Sequence, residues 1–100
     1  MAVDSPYAKW KHKLITIKKD VLSIRAEETF TLLMNLSTGK LYKTNKTGEH
    51  ILKILLHKPG ITIEGIIKIL KKDFEDVDEE VLREDLLSFL EELEKIGVIE

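Results

Sequence analysis

The sequence contains no cysteine, which excludes disulfides, thiolate-held metals and a cysteine nucleophile and leaves packing as the source of stability. It has two prolines and five glycines, and the glycines are scattered instead of grouped as a phosphate-cradling loop. No apolar run approaches the roughly 20 residues needed to cross a bilayer, and the N-terminus lacks the apolar centre of a signal peptide, so a cytoplasmic location and no membrane contact are expected. The three histidines, His12, His50 and His57, lack the nearby carboxylate triad or cysteine of a metal centre. No Ser-His-Asp order or nucleophile elbow is present. The acidic pairs Glu79-Glu80, Glu84-Asp85 and Glu91-Glu92 are adjacent in sequence, so on a helix they splay apart and cannot converge as an acid/base couple. These absences predict a protein that is not an enzyme, with no catalytic residue, no metal and no cofactor.

What remains is an ordinary globular composition, 43% apolar and 34% charged, in a chain of 100 residues. That length builds one domain with a single modest core, so a functional site must lie on the surface of that core. The net charge of −2 conceals a division. Residues 1–58 carry eleven Lys/Arg against five Asp/Glu, whereas residues 59–100 carry five against thirteen. The second half is therefore no general binder of polyanions.

Residues 1–13 lack periodicity and predict a flexible N-terminal arm, with Tyr7 and Trp10 either anchoring it or contacting a partner; residues 14–100 form the domain. Leu14 to Ile17 and Val21 to Arg25 are short β-branched runs that predict one or two strands. Phe30, Leu32, Met34 and Leu36 then alternate with Thr31, Leu33 and Asn35, as in a strand with one face on a core. Ser37-Thr38-Gly39-Lys40 supplies a turn, and Leu41 to Thr44 completes a hairpin.

From Lys46 onward the period becomes helical. Asn45 or Thr47 caps a first helix that Pro59-Gly60 stops, and Thr62 caps a second along Ile63, Ile66, Ile67, Leu70 and Phe74. Asp78 caps a third, with Val77 and Leu82 as a staple, an inward stripe of Leu82, Leu86, Phe89, Leu90 and Leu93, and Gly97 as its stop. Leu87 falls on the polar side of this helix and has the least core justification. The predicted class is α+β, winged-helix-like, a three-stranded antiparallel sheet followed by three helices.

The stretch from Leu32 to Ile99 resembles the PqqD-like domains, the peptide-recognition elements of ribosomally made, post-translationally modified peptides. The resemblance lies in the order and spacing of Asn45, Thr47-Gly48, Ile51, Gly60, Thr62 and Ile66, followed by Asp85-Leu86, Phe89-Leu90, Leu93 and Gly97-Val98-Ile99. It implies a non-catalytic binding module that captures the leader segment of a precursor peptide. The leader would add as a strand beside Leu41, Tyr42, Lys43 and Thr44, with Leu82, Asp85, Leu86 and Phe89 as the opposite wall. It also implies a separate modifying enzyme as partner, such as a radical S-adenosylmethionine maturase or a leader peptidase. Two rival readings stand beside it. One is a winged-helix-like nucleic-acid binder, opposed by the acidic third helix, whose surface would repel phosphates; the other is a homodimer joined through the free strand edge, so that monomer and dimer both stay open.

Overall fold

Residues 6–100 are described in the computed structural model of the chain, with side chains from Ala8 onward. Strands β1 (Leu22–Ala26), β2 (Thr31–Asn35) and β3 (Leu41–Thr44) form an antiparallel sheet in the order β1-β2-β3. Helices α2 (Lys46–His57), α3 (Ile63–Asp73) and α4 (Glu79–Lys95) follow it, and a short helix, α1 (Pro6–Trp10), precedes it. The predicted class and element order therefore hold, with α1 as an addition.

The alternation in β2 sets which face meets the helices. Thr31, Leu33 and Asn35 are the buried series, whereas the more apolar Phe30, Leu32, Met34 and Leu36 lie on the opposite face. Polar side chains are tolerated inside because each is satisfied. The Asn35 amide nitrogen donates to the carbonyls of Ile96 at 2.7 Å and Gly97 at 3.3 Å, and its oxygen accepts from the N–H groups of Ser37 and Thr38. Asn35 thus ties the β2–β3 turn to the end of α4. The turn itself needs Gly39, whose φ of 76° lies in the left-handed region.

The helices begin and end on local chemistry. The Asn45 side chain accepts from the Gly48 N–H at 2.9 Å and Thr62 from the Gly65 N–H at 3.2 Å, which satisfies donors that no preceding turn can reach. The expected cap at Asp78 is corrected: its side chain makes no capping hydrogen bond. Glu79, one residue on, instead joins α4 to α3 by accepting from Lys71 at 2.8 Å and Arg83 at 3.0 Å. At the other end the Val98 N–H donates to the Leu93 carbonyl and the Gly97 N–H to that of Glu94, the paired closure that a left-handed glycine permits.

Two expectations for the N-terminal region change. Leu14 to Ile17 is no strand of the sheet. It runs as an extended tie, with bridges from Ile15 to Ile61 and from Ile17 to Ile99, and both isoleucines are buried. Residues 8–13 are likewise no loose arm, because Trp10 is fully buried in the core and its indole N–H donates to Glu91 at 3.2 Å. An indole of that size outweighs the entropy of ordering a few residues. Lys9 pairs with Glu94 beside it. Tyr7's expected contact and residues 1–5 lie outside the described side chains.

Candidate functional site: an open strand edge beside α4

The hydrogen-bond phase of the hairpin fixes which backbone groups face outward. The Asn35 N–H donates to the Lys40 carbonyl at 2.9 Å, and this pair continues the register that sets Leu33 opposite Tyr42 and Thr31 opposite Thr44. Bonded and non-bonded pairs alternate along an antiparallel ladder. Tyr42 and Thr44 therefore turn their N–H and C=O groups toward β2, and Leu41 and Lys43 turn theirs away. Among the described residues no strand pairs with β3 on that outer side. Leu14 to Ile17 does not cover it, since its bridges go to Ile61 and Ile99.

Beside this edge lies a groove of about 220 Å³. Its β3 wall is Tyr42, Lys43 and Thr44, and its α4 wall is Asp85, Ser88 and Phe89, spaced so that one helix face carries all three. The first turns of α2 form the floor through Thr47, Gly48 and Ile51. Gly48 is required for that floor, because a Cβ there would stand 1.9 Å from Thr44 Oγ1 and 3.1 Å from the Phe89 ring. The Tyr42 and Phe89 rings meet across the groove, 6.1 Å between centroids and tilted by 48°, a favourable aromatic geometry.

Charge is sparse inside the groove. Lys43 places its ammonium 4.5 Å from the Phe30 ring, on the sheet face that carries Phe30 and Leu32, away from α4. Asp85 is exposed and has no partner among the described residues. Four other α4 carboxylates are occupied, Glu79 by Lys71 and Arg83, Glu91 and Glu94 by Lys9, and Glu92 by Lys95, whereas the exposed Glu80 and Glu84 have no partner among the described residues. Behind the floor, Glu49 accepts from Lys46 and from the buried Thr31 hydroxyl, each at 2.8 Å. These donors, with Lys53 nearby, pull its carboxyl from 4.5 down to about 2.

Of the residues singled out in the sequence, Tyr42, Lys43, Thr44, Asp85 and Phe89 border one groove. Leu82 and Leu86 do not border it and are buried in the core, since a stripe at i and i+4 directs them under α4. Leu41 contributes backbone only, its side chain being exposed on the opposite sheet face with Met34. Leu87 is half-buried against the core and is no exposed marker. Sequence reasoning did not assign Asn45, Thr47, Gly48, Ile51 or Ser88 to the site. Ser88 was legible as the i+3 neighbour of Asp85, whereas Gly48 required knowing that Thr44 passes over it. Among the histidines, His50 holds Asp73 at 2.7 Å and His57 a main-chain carbonyl at 2.8 Å, both of which are structural contacts.

Comparison with known proteins adds three findings. No curated protein matches the sequence significantly. A solved chain described as TbiB1 in complex with the TbiA(beta) leader peptide shares the fold, with a TM-score of 0.67 and 24% identity over 85% of this chain and 94% of that one. The family model for coenzyme PQQ synthesis protein D matches residues 31–99. That span runs from the first residue of β2 through the open edge, the groove and the closure of α4, and on it the chain belongs to the PqqD family.

Proposed function

We propose that this protein is a non-catalytic peptide-binding module which captures the leader segment of a precursor peptide by strand addition to β3 and presents it to a separate modifying enzyme in the cytoplasm. The observation that carries the reading is the outward-facing backbone of Leu41 and Lys43 at an open sheet edge beside a helix-walled groove. Main-chain pairing at such an edge aligns an extended peptide whatever its side chains, and a flanking wall supplies the choice of sequence. Family membership and the shared fold with a protein solved bound to a leader peptide support the assignment. Tyr42, Asp85, Ser88 and Phe89 are the side chains offered to the ligand. Nucleic acid is disfavoured as a ligand because Glu80, Glu84 and Asp85 all lie exposed on α4.

The test is a titration of isotope-labelled protein with synthetic peptides spanning the leader of a precursor encoded beside its gene. The amides of Leu41 and Lys43, open to solvent in the free protein, gain protection from hydrogen exchange, whereas Tyr42 and Thr44 are protected from the start. Unaltered Leu41 and Lys43 amides at saturating peptide would exclude strand addition at this edge.

A further inference from the structure

Resting on strand addition at β3, we infer that the groove selects peptides carrying a lysine or arginine at a strand position facing α4, with the cation seated against Asp85. Side chains of an added strand alternate between the two sheet faces, and those level with Tyr42 and Thr44 share the face of those residues, toward α4. There they meet a wall whose one carboxylate is Asp85, in a groove otherwise bordered by hydroxyls, an amide and aromatic rings. Lys43, the other charged group at the border, is drawn to the Phe30 ring on the far face and leaves Asp85 uncompensated. The remaining α4 carboxylates that have cations nearby are already paired within the protein.

The shape of the site fits a long cationic side chain. An aliphatic stem can lie along Tyr42 and Phe89, which stand 6.1 Å apart at the base, while the charged head stays in water at the exposed rim. A guanidinium or ammonium there forms a charge-assisted hydrogen bond, stronger than one from a neutral donor. An acidic side chain at the same place meets Asp85 with Glu84 adjacent, and is rejected.

A display library of ten-residue peptides, randomised throughout, separates this specificity from the strand-addition reading. Selection on wild-type protein enriches Lys or Arg at alternating positions, and selection on Asp85→Lys enriches Asp or Glu at the same positions. A selected peptide loses about two- to fivefold in affinity on Asp85→Asn, the range of an exposed ion pair, and its salt dependence weakens with it. Because Asp85 is exposed and unpartnered, both variants keep the wild-type melting temperature. Peptides that protect Leu41 and Lys43 without any basic enrichment, or with enrichment unchanged on Asp85→Asn, overturn the inference and leave strand addition standing. A library yielding no peptide that protects those amides removes both.

Discussion

Asn35 shows how much one side chain can join. Its four hydrogen bonds connect the β2–β3 turn to the carbonyls that end α4, so Asn35→Ala leaves buried polar groups on two elements unpaired. A loss of about 1–3 kcal/mol is expected from urea unfolding. Gly48→Ala acts through contact instead: its new methyl meets Thr44 Oγ1 and the Phe89 ring, and either β3 or α4 must move. The expected destabilisation is about 1–3 kcal/mol, with part of it recovered in Gly48→Ala/Thr44→Ala, where the nearest atom is removed. Glu49 contributes to the acid limb of stability, as does Glu79, whose carboxyl Lys71 and Arg83 also lower. The Glu49 carboxyl is held at about 2 in the folded protein against 4.5 ordinarily, so its contribution is complete above pH 4.5 and is lost as the pH falls toward 2. The urea midpoint of Glu49→Gln should therefore vary less with pH between 5 and 2 than that of the wild type.

At the scale of elements, the three helices were legible because each repeats apolar residues at helical spacing between a cap and a stop. The hairpin was legible from its alternation, but its facing was not. Leu32 and Met34 are as apolar as Leu33, and the buried series is decided by Thr31 and Asn35, whose partners come from Glu49 and Ile96, far away in sequence. The tie from Leu14 to Ile17 has the composition of a strand and was indistinguishable from one, since its bridging residues Ile61 and Ile99 lie 46 and 82 positions along. Trp10 was readable as an anchor, though not its depth. Trp10→Ala should cost about 3–5 kcal/mol by calorimetry. In β3 the phase of the ladder predicts opposite results from neighbouring prolines. Lys43→Pro removes an outward N–H and keeps the fold, as prolines at sheet edges do, and should weaken peptide binding by up to about tenfold. Tyr42→Pro removes a donor aimed at β2 and should unfold the hairpin, visible as loss of dispersion in the amide spectrum.

For the whole molecule, the two halves of the chain divide the work. The first half supplies the edge, and the second supplies the wall and most of the acidic charge. The wall residues were legible only in part, because Asp85 and Phe89 belong to a recurrent motif, while the groove floor exists only once α2 passes beneath Thr44. Ligand binding at such a composite site should stabilise the entire fold by mass action. At a free peptide concentration of about 100 Kd the gain is about 2.7 kcal/mol, which for a domain of this size raises the melting temperature by roughly 10–20 °C. The rise should be roughly halved in Lys43→Pro, since a tenfold weaker Kd leaves about 1.4 kcal/mol of the gain, and scanning fluorimetry measures both.

The shortness of β3 has a thermodynamic consequence. Leu41 and Lys43 each offer one N–H and one C=O, and hydrogen bonds of this kind contribute on the order of 0.5–1.5 kcal/mol apiece. Their sum is about 2–6 kcal/mol, no more than the lower part of the 4–15 kcal/mol that association of two molecules costs. Backbone pairing by itself is therefore too weak to hold any strand that drifts past, including the same edge of another copy. Residence demands a second contribution, from side chains seated between Tyr42 and α4. On the proposed reading the edge and the wall work as two keys turned together: an extended chain without the right side chains leaves, and one with them stays.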